Sequence, residues 1–420
     1  MSWSRDVVVV GAGLAGLCCA RRLTEAGVDC LIVEASDGVG GRMRTDVVDG
    51  FLLDRGFQVL STAYPEVRRV LDLRALDLRP FYAGALVHSG GKFHRVSDPW
   101  RHPLDAVSLL FSPVGTLADK AHLATLRHSV TACTWEDLAG RPETSTLQAL
   151  RRAGLSDRII DRFFRPFLGG VLAGRELSAS SRLFEFVYRA FAVGETCLPS
   201  RGAGSVPEQL RAGLPREAVR LGARVEALED GGVRLAGGET IGAAAVVVAA
   251  EAPEAARLTG LGVALAGRGL SCFYYAAERA PVREPIVMLD GDGVGPATGV
   301  AVPSSVARTY APPGAALVSA TVLGRAAPDN GALEAAVRAQ LTRWFGAGVR
   351  RWRHLRTYRI PYAQPDQDPP ALTPWRREVR LRPGLYVCGD HRDHASVNGA
   401  MESGRRAAEA LLADRGTRAS

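Results

Sequence analysis

Apolar patterning begins at residues 7–10, four consecutive valines after Asp6. A β-branched run without polar interruption suits a strand buried on both faces. After a glycine-rich turn, a helix is predicted to about Ala26, with Gly27 as its stop, and residues 30–33 form a second apolar strand. Residues 50–60 read as a strand entering another turn. Residues 80–200 read as largely helical. Within them, 158–171 and 183–191 mix arginines with Phe163, Phe164 and Phe167, and these stripes are read as core rather than substrate pocket. Short strands are predicted at 219–221, 225–228 and 233–235, and a buried one at 243–250. From 268 to 375 the chain is strand-like, with candidates at 272–275, 286–289 and 316–318, then a proline-rich loop at 365–374. A last strand, 384–388, precedes a helix from Val397 whose residues 400, 404, 407 and 408 are all small, which gives it a close-packing face.

The first turn, Gly11-Ala12-Gly13-Leu14-Ala15-Gly16, has chemistry as well as shape. Gly11 permits the tight turn, Gly13 lets the backbone approach a pyrophosphate, and Gly16 lets the helix pack against the strand. Glu34, at the end of the second strand, is placed to accept hydrogen bonds from ribose hydroxyls. With strand, helix, second strand and acid in register, the unit reads as a dinucleotide site. The carboxylate disfavours a 2′-phosphate, so FAD and NAD both fit. Residues 291–295 hold further glycines but neither the third correctly spaced one nor a following amphipathic helix, so a hairpin turn is expected there. No separate nicotinamide site is visible.

Composition narrows the chemistry. The 420 residues are 47% hydrophobic and 23% charged, with a net charge of +8, which fits a globular protein of two or three domain-sized units. Arginines are scattered rather than clustered with stacking aromatics, so nucleic acid is not an expected partner. Lysine occurs only at 92 and 120, which removes lysine-based covalent catalysis from most of the chain. No uncharged apolar run reaches the ~18 residues of a membrane helix. No secretory signal is read, and the seven cysteines form no CxxC pair, so a cytoplasmic protein with buried thiols is expected. His391 and His394 lack a compact third ligand, so no metal is expected; their expected role is loop polarity. GKS/T and G-x-S-x-G motifs are absent, which disfavours phosphoryl transfer and serine hydrolysis.

Two more stretches decide between the dinucleotides. Ala35 to Thr45 holds Gly40-Gly41-Arg42 and ends in arginines able to neutralise phosphates; Gly389-Asp390 follows the last strand, and Val397-Asn398-Gly399-Ala400 opens its helix. In this order the pattern resembles the flavin-containing amine oxidase and phytoene desaturase superfamily. The turn and helix at 201–214 resemble the same family's middle segment. The resemblance implies an α/β fold: a Rossmann-like, discontinuous FAD-binding domain from 1–75, 200–265 and 380–420, and a substrate domain of mixed sheet and helices from 76–199 and 266–379. It implies non-covalent FAD held by Gly11, Gly13, Leu14, Ala15, Gly16, Glu34, Ala35, Gly40, Gly41 and Arg42. Gly56, Phe57, Gln58 and Val59 would approach the isoalloxazine, and the Val225 backbone the adenine. Gly389, Asp390, Val397 and Ala400 would complete the site.

Typical amine oxidases of that superfamily keep a lysine near flavin N5 and an aromatic residue before the valine of this helix. Here no lysine follows 120, and Ser396 stands in the aromatic's place. The resemblance therefore implies the desaturase and protoporphyrinogen oxidase branch, with hydride removal from a hydrophobic small molecule to form a C=C or C=N bond. Oxygen, a quinone or another carrier would accept the electrons. Gln58, Tyr274 and His391 are the pocket candidates, with no catalytic acid or base assigned. Amine oxidation and a non-catalytic role like that of the Rab GDP-dissociation inhibitors are the alternatives. Peripheral membrane contact is a further expectation; oligomeric state is not read.

Overall fold

A computed structural model describes residues 3–105, 113–261, 266–324 and 330–419. The segment ends expected at residues 1, 265 and 420 lie outside the described residues.

The four valines sit at the centre of an eight-stranded sheet. Strand Trp3–Val10 pairs in parallel with Cys30–Val33 on one side and with Thr240–Val248 on the other. Beyond Cys30–Val33 lies Val219–Arg220, also parallel. The long strand Thr240–Val248 divides its far edge. Its first half pairs antiparallel with Gly232–Leu235, which pairs with Val225–Glu229, and its second half pairs parallel with Leu385–Val387. The alternation of side chains sends Val7 and Val9 to one core with Leu17, Met401 and Ala407, and Val8 and Val10 to another with Val225, Ala255 and Leu258. Burying both faces is why this stretch carries no polar residue.

Helix Leu14–Glu25 lies against the C-terminal helix Val397–Ala419. Ala407 and Ala408 are fully buried, and a Cβ at Gly404 would stand 2.1 Å from the Ala15 carbonyl oxygen, so the small-residue face has the packing role read for it.

A second, seven-stranded sheet runs in the order Arg353–Pro365, Gly267–Ala277, Ala316–Leu323, Ala297–Ala301, Val287–Asp290, Gly84–Ser89 and Lys92–Ser97. All neighbours are antiparallel except Val287–Asp290 with Gly84–Ser89. Residues 291–295 form the expected hairpin turn, with the Asp290 carboxylate accepting from the N–H groups of Gly293 and Gly295 at 3.2 and 2.9 Å. Two expectations need correction. The helical reading of 80–200 overlooked the hairpin 84–97, whose central Gly90 and Gly91 both take positive φ, 60° and 79°, as a two-residue turn between twisted strands requires. The strand-like reading of 268–375 overlooked helix Asn330–Phe345, which lays Val337 and Leu341 on the sheet beside Phe273, Tyr275 and Val318.

The remaining layer is helical, chiefly Leu117–Thr131, residues 157–172 and Ser181–Val193. Within it, Ile160–Phe164 is a π-turn, in which the Arg165 N–H donates to the Ile160 carbonyl. Pro166, having no N–H, follows directly.

Candidate functional site

A cavity of about 940 Å3 is walled by both sheets and the helical layer. At the first sheet its wall is the glycine turn. Gly11, with φ of 106°, is pressed so close to Ala249 that a Cβ would lie 2.9 Å from that carbonyl oxygen. At Gly16 a Cβ would lie 2.0 Å from the Gly11 oxygen, so Gly16 serves helix–strand contact and does not line the cavity. Gly13 differs from both: a Cβ there meets no protein atom within 4 Å, and the space it would enter belongs to the cavity. Such an opening over a helix N-terminus, with its unpaired N–H groups, is a cradle for a phosphate.

Glu34 supports the same turn. One carboxylate oxygen accepts from the Ala12 N–H at 2.7 Å, the other from the Ser36 N–H at 2.8 Å. Each oxygen keeps a lone pair for a ligand hydroxyl. The second glycine turn is tied to the first by the Gly40 N–H, donating to the Ala12 carbonyl at 2.8 Å. Arg42 then joins three segments. Its guanidinium pairs with Asp390 at 2.8 Å, donates to the Ala363 carbonyl at 2.9 Å and lies over the Tyr362 ring, while its backbone carbonyl accepts from Gln58 Nε2 at 2.7 Å. Arg44, read with Arg42 as a phosphate neutraliser, is paired with Asp37 at 2.8 Å and does not line the cavity.

Of the residues read from the sequence, the cavity brings together Gly11, Gly13, Leu14, Ala15, Glu34, Ala35, Gly40, Gly41 and Arg42 with Gly56, Phe57, Gln58, Val59, Val225, Gly389, Asp390, Val397 and Ala400. Two pocket candidates are misplaced. Tyr274 is 1% exposed in the core, its hydroxyl donating to the Asp54 carbonyl at 2.9 Å, because its strand position faces the inner cluster with Tyr310 and Phe51. His391 is also buried outside the cavity, so tightly under Gly389 that a Cβ there would stand 2.6 Å from its ring.

The loop-polarity role read for His391 and His394 is likewise overturned. Neither ring nitrogen of His391 nor Nε2 of His394 has a hydrogen-bond partner among the described residues, and His394 is wedged between Phe186 and Trp375. Burial holds their pKa values down to about 4 and about 3. Both therefore stay neutral in the fold, while the unfolded chain protonates them as pH falls through about 6.5. A depressed folded pKa means stability is lost on acidification, here between about pH 6.5 and 4. The variant His391→Leu should lose about 2 kcal/mol less than the wild type between pH 7 and pH 5. Asp393, pushed up to about 7 by burial, acts in the opposite direction over the same range and is common to both proteins. Equal pH dependence of chemical unfolding in the two would refute the assignment.

The opposite wall is aromatic. Phe163, Phe167 and Phe191 line the cavity, with the first two rings stacked at 5.4 Å. The reading of this stripe as core holds only for its inner face, such as Phe184, which is fully buried. Ser396 also lines the cavity, its hydroxyl 3.0 Å from His394 Nδ1 and accepting from the Gly399 N–H at 3.1 Å. Glu251 and Glu254 were not singled out from the sequence. They follow the carboxyl end of Thr240–Val248, the edge where open parallel sheets bind ligands, and that position was the available signal. Burial raises the Glu251 carboxyl, while Arg42 draws it back. Also missed were Lys120 and Arg127, on the cavity face of helix Leu117–Thr131.

This architecture is that of a flavoprotein oxidoreductase. The profile of the flavin containing amine oxidoreductase family matches residues 14–412, and the chain belongs to that family. It is 30% identical over 220 residues to a coproporphyrinogen III oxidase of Mycobacterium tuberculosis, a match spanning 50% of this chain and 45% of that protein. It is 40% identical over 98 residues to putrescine oxidase of Kocuria rosea, spanning 23% of this chain and 20% of that protein. The match thus covers less than half the length of either relative. In fold, the chain is similar to an oxidoreductase from Methanosarcina mazei with a TM-score of 0.74 and 22% identity, covering 96% of this chain and 100% of that one. The family implies a flavin cofactor, and among the described residues no helix is long and apolar enough to cross a membrane.

Proposed function

We propose that the protein is an FAD-dependent oxidoreductase that removes hydride from a largely hydrophobic small molecule, forming a C=C or C=N bond. The observation that carries this reading is the single cavity in which an open glycine cradle and an aromatic wall face the same space.

The residues present fit the dinucleotide. Gly11, Gly13, Leu14 and Ala15 would hold the pyrophosphate, Glu34 a ribose, and the Val225 backbone the adenine. Gly56 to Val59, Asp390, Val397 and Ala400 would flank the ring system. Bound flavin supplies a two-electron acceptor for the hydride. The chain's own work is to orient the substrate against the aromatic wall and to keep water out. Among the described residues no cysteine or histidine lines the cavity, and Cys388 is fully buried with its thiol pKa raised by burial, which supports non-covalent retention. We read residues 1–75, 200–265 and 380–420 as the cofactor domain, because they contain the strands of the first sheet. Oxygen, a quinone or another carrier would take the electrons. Exposed Trp100, Leu104 and Leu117 offer an apolar surface for peripheral membrane contact.

The non-catalytic alternative is not favoured, since the matched relatives are named as oxidases. Purified protein should carry flavin absorbance. Under anaerobic conditions a polyene or porphyrinogen should bleach it, and air or a quinone should restore it. Protein that neither contains nor binds FAD overturns the cofactor reading. Bleaching by amines alone overturns the choice of substrate class.

A further inference from the structure

Among the described residues six cationic side chains line the cavity, and five have a carboxylate within salt-bridge distance. Arg42 has Asp390 at 2.8 Å, Arg55 has Asp46 at 2.9 Å, and Arg224 has Glu254 at 3.9 Å. Arg127 and Arg101 share Asp98, at 2.9 and 3.8 Å. The sixth is Lys120, one of only two lysines in the chain, and no carboxylate among the described residues pairs with it.

Its surroundings make this unusual. Lys120, Leu123 and Arg127 occupy one face of helix Leu117–Thr131, at helical spacing, and all three line the cavity. Phe163, Phe167 and Phe191 line the same space. Among the described residues, Asp98 is the only carboxylate lining the cavity that does not belong to the nucleotide end, where Glu34, Glu251, Glu254 and Asp390 stand. This side therefore carries three cations against one anion. Arg127 is committed further, donating to the Ala192 carbonyl at 2.9 Å and stacking on Trp100. Burial pulls the Lys120 ammonium below its ordinary range, so its partial desolvation is uncompensated by the protein. An ammonium without a carboxylate partner, at the edge of an apolar space, is a place where a ligand anion gains more than it would in open water.

We propose that Lys120 anchors an anionic headgroup, a carboxylate or a phosphate, of a substrate whose apolar body lies along the aromatic wall. The inference rests on the oxidoreductase reading and narrows its substrate to amphipathic anions. It also disfavours a protonated amine, which would meet three cations and one carboxylate.

The test uses the flavin-loaded protein and three probes with one aromatic body, 2-naphthoate, 2-naphthyl phosphate and 2-naphthylmethylamine, titrated by calorimetry. Wild type should bind at least one anion about tenfold more tightly than the amine. Lys120→Met should abolish that preference, and Lys120→Arg should retain it. Loss for both anions assigns a general anion anchor. Loss confined to naphthoate assigns a carboxylic acid, and loss confined to the naphthyl phosphate assigns a phosphate ester. Absence of an anion preference in the wild type, or its persistence in Lys120→Met, overturns the proposal. Protein that takes up no FAD instead overturns the cofactor reading, so the two failures are separable.

Discussion

Gly13→Ala should fold like the wild type and purify with diminished flavin content, whereas Gly16→Ala should fail to reach the native fold. The two glycines stand three residues apart in one turn, yet their surroundings differ completely. Gly13 has φ of −70°, which any residue adopts, and a Cβ there meets no protein atom within 4 Å. The only thing a methyl group can displace is what occupies the cradle, so FAD affinity should fall at least about tenfold, above ~1.4 kcal/mol. At Gly16 the added atom would sit 2.0 Å from the Gly11 carbonyl oxygen and 3.2 Å from the Ala249 Cβ. The first of these is backbone, so relief requires the helix to move off the sheet. Overpacking of this kind costs about 1–3 kcal/mol and more where backbone is the obstacle. Far-ultraviolet circular dichroism with flavin titration separates the outcomes. A Gly13→Ala protein with undiminished FAD content would show that the cradle is not the phosphate site.

The difference between these glycines marks what can be read from a sequence. Val7–Val10, the glycine turn and Glu34 are local and over-determined: periodicity, turn chemistry and spacing all point one way within 30 residues. The small-residue face of the last helix was legible for the same reason. What failed were properties set by distant partners. Tyr274 and His391 belong to polar residue types that chemistry favours, but their positions put them in the core, where Asp54 and Gly389 respectively receive them. The Phe163 stripe was misassigned because helical spacing shows that a face is apolar and not whether a neighbouring element covers it; here that face lines the cavity. Arg42 was read as free to meet a phosphate; its salt bridge spans 348 positions of sequence, to Asp390, which no local pattern reports. Lys120 was noted only as the last lysine, since nothing near it in sequence says that, among the described residues, five other cations in the cavity have carboxylates and it has none.

That long-range pair makes the second large effect. Arg42→Met should destabilise the flavin-free protein by about 2–3 kcal/mol, below the ~3–5 kcal/mol of a fully buried pair, because it strands a largely buried carboxylate while Arg42 itself is 33% exposed. Asp390 has a side chain only 8% exposed, and Arg42 is its salt-bridge partner among the described residues. Glu251, a second cavity carboxylate whose ionised form Arg42 favours, would lose that support as well. Restoring neutrality separates charge from shape. Arg42→Met combined with Asp390→Asn replaces the stranded carboxylate by a neutral amide, so most of the lost stability should return, and the shortfall of the double variant from the summed single effects measures the coupling. Flavin binding should not return with it, since both side chains line the cavity. Urea unfolding of the four flavin-free proteins gives the stabilities, and FAD titration gives the affinities. Arg42→Met as stable as wild type would mean that Asp390 is solvated or relieved by another group. If the double variant regains FAD affinity along with stability, the pair only holds the three chain segments together and makes no contribution of its own to the cofactor.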